Sequence, residues 1–311
     1  MNENGTAQSG VSIQSSVFWF IIKRMQVAIM NHRSIEANRI VVKVGTSSLI
    51  HPNGAVNLET FDQLAYTLSA LNNQGKELIL VSSGAIGVGL NKMHLKKRPS
   101  EIGAQQALAA IGQSELMTLF TQRFNHYLTD IAQVLLTHDI FDYPKSNKYV
   151  MDTFNCLLKD NVIPIVNEND TVATDELDHK TTFGDNDQLS AIVASHVNAD
   201  LLIVLSDIDG FYDQNPKKFA NASLIPTVNI INEETFTVAG GSGSRFGTGG
   251  MQTKLLAAKR MLAENRQMIL ANGRDPRIIL DILAGKKIGT LFTKNRSENQ
   301  PQSETSPTIN H

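Results

Sequence analysis

RIVVKVG, residues 39–45, is a run of mostly β-branched apolar residues that does not alternate with polar ones and carries an interior charge, Lys43, two places before a glycine. Continuous apolar runs of this length mark strands covered on both faces, as in parallel sheets flanked by helices. The pattern recurs in ELILVS (77–82), at residues 131–136 and 162–166, and in LLIVL (201–205). Between the first two runs Leu58, Phe61, Leu64, Ala65, Leu68 and Leu71 fall at helical spacing, and residues 102–124, 188–197 and 251–264 read as helices as well. Strands alternating with helices build βαβ units, so the predicted class is α/β with a mostly parallel central sheet.

No internal repeat and no linker interrupts residues 37–293, which are expected to form one continuous domain. Residues 1–36 stand apart. Their apolar run VFWFII (17–22) is far shorter than the roughly 20 residues of a membrane span. They are read as a non-catalytic extension, with a docking helix or weak membrane contact as the lesser reading. Residues 294–311 lack apolar periodicity and are expected to be a disordered tail.

Composition narrows the function. The chain has 311 residues, 41% apolar and 19% charged, with a net charge of -2. That balance lacks the basic field on which nucleic-acid and membrane-surface binders rely, so neither is expected as a partner. A single cysteine, Cys156, excludes a disulfide scaffold and any CxxC site. It points to a reducing compartment and so to the cytoplasm.

In parallel sheets ligands bind beyond the carboxyl ends of the strands. There the sequence places Gly45-Thr46-Ser47-Ser48, Ser82-Ser83-Gly84-Ala85-Ile86-Gly87, Asn167-Glu168-Asn169-Asp170 and Ser206-Asp207-Ile208-Asp209-Gly210. Glycine and serine in such turns let backbone N–H groups converge on an anion, with a helix N-terminus behind them. No P-loop, GxGxxG, GxSxG or HExxH pattern competes, and the eight histidines are scattered. A lysine near the end of a strand buried on both faces is costly unless it meets an anion or a carboxylate, so Lys43 is expected to contact phosphate; the plainer alternative is a solvated lysine on an edge strand. Asp170, Asp185 and Asp187, with Asn167, Asn169 and Asn186, form a cluster suited to Mg²⁺ or to an ammonium group, although acids at a helix start are ordinarily caps. The stretch GGSGSRFGTGG (240–250) runs directly into an amphipathic helix, so it reads as a loop closing over phosphates, with Lys254 one turn into that helix. Two lysines, glycine nests and carboxylates without a P-loop describe phosphoryl transfer by positioning and charge neutralisation.

VVKVGTSSL (41–49), VSSGAIGVG (81–89), IGQSEL (111–116), PIVNENDTVAT (164–174), GDNDQLSA (184–191), LSDIDGFY (205–212) and GTGGMQTK (247–254) together resemble the amino acid kinase family, over about residues 39–293. NENDxVAT, GDND and GTGGMxTK are specific to the branch that phosphorylates glutamate. The lysine strand and the SGA loop alone also fit acetylglutamate, carbamate, aspartate and uridylate kinases. The resemblance implies a three-layer α/β/α sandwich with Mg-ATP at one end of the sheet and L-glutamate at the other, making γ-glutamyl phosphate in the first step of proline biosynthesis. By resemblance, Lys43, Lys254, Asp185 and Asp187 form the catalytic group, with the two aspartates organising the lysines. Ser83, Gly84, Ala85, Asp170 and Asn186 bind the acceptor. Lys43, Gly45, Ser206, Asp207, Thr248, Gly249, Gly250, Met251, Gln252, Thr253 and Lys254 bind ATP. Mg²⁺ comes with ATP, and no protein metal ligand is assigned. The resemblance further implies a homo-oligomer, L-proline as a feedback inhibitor, and channelling to glutamate-5-semialdehyde dehydrogenase. Many members carry a C-terminal PUA domain, which this chain is expected to lack, and DELDHKTTF (175–183) is longer than the usual stretch between the two acceptor motifs. Another member such as an acetylglutamate kinase, or a non-catalytic nucleotide or amino-acid sensor on the same fold, remains the alternative.

Overall fold

The computed structural model describes residues 32–173, 186–239 and 250–294. From the N-terminal side the elements are β1 (Arg39–Val44), α1 (Thr46–Leu49), α2 (Leu58–Asn72), β2 (Glu77–Ser82), α3 (Ala85–Lys92), α4 (Ile102–Asn125), β3 (Ile131–Leu136), a 3-10 turn (His138–Phe141), α5 (Pro144–Lys159) and β4 (Ile163–Glu168). Then follow α6 (Asn186–His196), β5 (Leu201–Ser206), β6 (Thr227–Val228), α7 (Glu233–Val238), α8 (Met251–Ala263), β7 (Gln267–Asn272), α9 (Ile278–Leu283) and β8 (Thr290–Phe292). The strands form one eight-stranded sheet in the order β3-β4-β2-β1-β5-β7-β8-β6. All neighbours pair parallel except β7 and β8.

The period of two in β1 divides the core. Ile40, Val42 and Val44 point to one face, where Phe61 and Leu64 of α2, Phe120 and Phe124 of α4 and Ile279 of α9 pack. Val41 points to the other, with Phe154 of α5, Leu189 of α6 and Leu255 and Met261 of α8. Helix layers therefore cover both faces, which is why the central strands read as unbroken apolar runs. Lys43 shares the Val41 face, so its side chain enters the α6/α8 layer.

The run at 131–136 departs from its expected burial. β3 lies at the edge of the sheet; Gln133 and Leu135 are exposed and only Leu136 is buried. An edge strand has one paired side and thinner helix cover, so an apolar sequence there does not entail burial on both faces.

Packing against the sheet also begins before residue 37. Arg33 is buried. Its guanidinium donates to the carbonyls of Ile288 (2.5 Å), Pro226 (2.7 Å) and Gly289 (3.0 Å), and its backbone N–H to Gly285 (2.7 Å). One side chain thus satisfies the backbone at the β6–β8 end of the sheet, in a stretch without periodicity to announce it. The remainder of the extension, the tail beyond Lys294, the stretch 175–183 and the glycine loop 240–249 lie outside the described residues.

Candidate active site

Among the described residues, two cavities open at the carboxyl ends of the strands. The smaller, about 290 Å³, is lined by Ser83, Gly84, Ala85, Asp170 and Asn186, together with Thr46, Arg98, Asn167 and Glu168 among others. The larger, about 620 Å³, is lined by Ser206, Asp207, Gly250, Met251, Gln252 and Lys254, together with Phe211, Tyr212 and the stretch from Gln214 to Lys218.

The floor of the smaller cavity is a polar network built on strand ends. Asn186, the first residue of α6, places its Nδ2 2.8 Å from both the Ser82 carbonyl and Ser83 Oγ, and 3.0 Å from Asn167 Oδ1. Asn167 in turn donates to Gln113 Oε1 on α4 at 2.8 Å. These amides are buried, so satisfying them fixes their orientation. The turn after β2 requires Gly84, whose φ of 96° is left-handed, to aim Ser83 and the start of α3 at the cavity. α3 is held close to α4 at Gly112, where an added Cβ would come within 1.7 Å of the Ala85 carbonyl oxygen. The IGQSEL motif thus supplies the glycine that lets the two helices meet and the glutamine that anchors Asn167.

Lys43, Asp187 and Lys254 meet beneath both cavities. Asp187 is fully buried and the lysines are each 7% exposed. Lys43 Nζ lies 2.5 Å from Asp187 Oδ1 and Lys254 Nζ 2.9 Å from Oδ2. β1 is the fourth strand of eight, so the edge-strand reading of Lys43 does not hold. Thr253 Oγ1 lies 3.1 Å from Asp187 Oδ2 and 2.8 Å from the Gly250 carbonyl, tying the cluster to the first turn of α8. Burial alone would raise the Asp187 carboxyl, but the charges of Lys43 and Lys254 and their hydrogen bonds outweigh it, holding its pKa at about 2. The cluster sums to one positive charge, and it joins the cavities: Asn186, next to Asp187, lines the smaller and Lys254 the larger.

Gly45 lines neither cavity. It follows β1 beside the Lys43 ammonium, where a Cβ would sit 3.5 Å from Nζ. The Asp/Asn cluster divides: Asp187 turns to the lysines, Asp170, Asn167 and Asn186 line the smaller cavity, and Asn169 accepts a hydrogen bond from Thr171. Asp185, Thr248 and Gly249 lie outside the described residues. The sequence offered no sign of Arg98, which precedes α4 in an unpatterned loop. The wall formed by Phe211, Tyr212, Lys217 and Lys218 was readable only as the continuation of the loop after β5.

The amino acid kinase family model matches residues 38–272, and the chain belongs to the amino acid kinase family. It is 62% identical to the glutamate 5-kinase of Enterococcus faecalis over 86% of this chain and 99% of that one. Against the glutamate 5-kinase of Lactiplantibacillus plantarum it is 62% identical over 84% and 98%, and against that of Listeria monocytogenes 55% over 84% and 95%. Among solved structures, UMP kinase from Bacillus anthracis is similar in fold, with a TM-score of 0.56 at 17% identity over 83% of this chain and 97% of that one.

Proposed function

We infer that the chain transfers the γ-phosphoryl group of ATP to the side-chain carboxylate of L-glutamate, giving γ-glutamyl phosphate and ADP at the entry to proline biosynthesis. The observation that carries this reading is the Lys43–Asp187–Lys254 cluster at the junction of two cavities of unequal size. Identity of 62% to two glutamate 5-kinases supports the choice of acceptor. Glutamate occupies the smaller cavity, its ammonium on Asp170, with Ser83 and Asn186 lining the same cavity and its γ-carboxylate toward the lysine cluster. ATP occupies the larger, with its phosphates toward Lys254 and the Gly250–Gln252 turn.

A γ-carboxylate has an ordinary pKa of about 4.3, so at neutral pH it is already ionised and needs no general base. One carboxylate oxygen forms a bond to the γ-phosphorus, the bond from phosphorus to the β–γ bridging oxygen breaks, and ADP leaves with that electron pair; no proton moves. The obstacle is repulsion between two anions. Lys43 and Lys254, held by Asp187 before the substrates arrive, offset it without reorganisation during the reaction. Among the described residues no three or more His, Cys, Asp or Glu side chains converge into a metal cage. Mg²⁺ belongs to this reading as part of Mg-ATP, held chiefly by the nucleotide phosphates.

L-proline carries the same carboxylate and a secondary ammonium, and competition with glutamate in the smaller cavity is its proposed mode of inhibition. A homo-oligomer, hand-over of the water-labile acyl phosphate to glutamate-5-semialdehyde dehydrogenase, and a cytoplasmic setting belong to the same reading. No helix among the described residues is long and apolar enough to cross a membrane.

The test is ADP release from Mg-ATP with glutamate, N-acetylglutamate, aspartate, carbamate or UMP as acceptor, with hydroxylamine trapping the acyl phosphate. Glutamate alone should support turnover and yield the hydroxamate. Strong turnover of another acceptor without glutamate dependence would overturn the reading.

A further inference from the structure

The smaller cavity must receive an α-carboxylate for which the residues assigned so far give no partner. Two carboxylates, Glu168 and Asp170, line it. An α-amino dicarboxylic acceptor brings two more, of which one must face the lysine cluster. The other carboxylate, at the α-carbon, is the group that a cationic lining side chain would meet. Among the described residues lining this cavity, Arg98 is the one cationic side chain. Its guanidinium is braced rather than loose. Nε and Nη2 donate to Gln105 Oε1 at 2.8 and 2.5 Å, and Gln105 Nε2 donates to the Pro99 carbonyl at 2.9 Å. Gln105 stands in the first turn of α4, the helix whose Gln113 anchors the cavity floor. Two of five N–H donors are thereby engaged, leaving the rest of a planar fork suited to a carboxylate.

We propose that Arg98 is the specificity residue that receives the α-carboxylate of the acceptor, with Gln105 as its positioning residue. The inference rests on glutamate being the acceptor. It divides the recognition of one small molecule among three charged loci: Arg98 for the α-carboxylate, Asp170 for the ammonium, and the lysine cluster for the reacting γ-carboxylate. Such a site binds a carboxylic acid that lacks the α-carboxylate more weakly, although that group takes no part in the chemistry.

The test compares wild type, Arg98→Ala, Arg98→Lys and Gln105→Leu in the ADP-release assay, with glutamate as acceptor and 4-aminobutyrate as competitor. The competitor keeps the γ-carboxylate and the ammonium but has no α-carboxylate. Arg98→Ala should raise the KM for glutamate about tenfold or more, as loss of a charge-assisted contact does, with kcat within about threefold and the KM for ATP unchanged. Arg98→Lys should recover part of that loss. Gln105→Leu, which frees the guanidinium without removing it, should raise the same KM by less. Inhibition by 4-aminobutyrate should not weaken in any variant. A glutamate KM that stays at the wild-type value in a folded Arg98→Ala protein overturns the assignment, and so does an equal loss for glutamate and 4-aminobutyrate. Wild-type protein without glutamate-dependent turnover is a separate outcome, seen before any variant is made, and it removes the acceptor reading itself.

Discussion

The smaller cavity is walled by strand ends whose buried amides hold one another, from Asn186 through Asn167 to Gln113, whereas the larger is walled by a long excursion after β5 whose charges face solvent. In the smaller, Asn186 and Asn167 are oriented by hydrogen bonds inside the fold before any ligand arrives. In the larger, Asp207 meets Lys217 only at 3.8 Å, with their side chains 60% and 77% exposed. A small acceptor offers few atoms for recognition, so its site must be preorganised. A nucleotide brings a large surface and several charges, so its site can be wide. The cluster of Lys43, Asp187 and Lys254 belongs to both halves, and variants there should ignore the division that variants elsewhere respect.

Removing the shared carboxylate should have the largest effect. Asp187→Ala leaves two ammonium groups packed together in a buried site, a change expected to cost about 3–5 kcal/mol of stability and to abolish turnover. Denaturant unfolding and the ADP-release assay check both. The same group sets an acid dependence. Its pKa is lowered from 3.8 to about 2, so its contribution is fully present above about pH 4 and is lost as the pH falls toward 2. Wild type should therefore lose roughly 2 kcal/mol across that window relative to Asp187→Asn. Parallel losses in the two proteins would show that the lysines do not hold this carboxyl down.

Next in size come the lysines themselves. Lys43→Ala and Lys254→Ala should each lower kcat by about 10² or more while both KM values change little, because each removes a preorganised charge that acts in the transition state. An effect confined to the KM for ATP would place the lysine in the larger cavity alone and break its claim to both.

The comparison also explains what could be read from the sequence and what could not. β1, β2, β4 and β5 were legible because a strand covered on both faces has no polar position to spare, and Lys43 stood out for the same reason. β3 was read in the same way but lies at an edge, and the polar Gln133 inside it was the local sign of that. β6 and β8 are two and three residues long, below the length at which periodicity exists. Ser83 and Asp170 sit in strand-end turns, where a site is sought first, and Asn186 opens a helix. Gln113 holds Asn167 from a helix and Arg98 lines the cavity from a loop, and only the packing of α4 against α3 brings them there. Arg33 was missed because a single arginine capping backbone carbonyls leaves no pattern behind.

That packing gives the next prediction. Gly112→Ala would drive a methyl group against the Ala85 carbonyl, with the Gly89 backbone nitrogen 2.5 Å away. Backbone cannot yield as a flexible side chain can, so α3 must shift, at roughly 1–3 kcal/mol of stability. Because Gly84 and Ala85 open that helix, the KM for glutamate should rise with the KM for ATP little changed. Equal movement of both constants would show that the smaller cavity is not a separately braced unit.

The smallest effects come from single charges on the two walls, and they test the division most directly. Asp170 lines the preorganised cavity, where its proposed partner is the acceptor ammonium; a charge-assisted contact of this kind is worth about 1.5–3 kcal/mol. Asp170→Asn keeps the shape and removes the charge, so the KM for glutamate should rise about tenfold while that for ATP stays put. Lys217 is the opposite case. Its link to Asp207 is long and solvent-exposed, so Lys217→Ala should change stability by less than about 1 kcal/mol. Its effect on the KM for ATP should be a few-fold and should fade as salt is added, because exposed charges are screened over about 10 Å at 0.1 M ionic strength. The Asp170→Asn effect should survive the same salt, since the cavity holds its contact away from bulk ions. If the salt dependences came out reversed, the wide cavity would be the preorganised one and the assignment of acceptor and nucleotide to the two ends of the cluster would have to be exchanged.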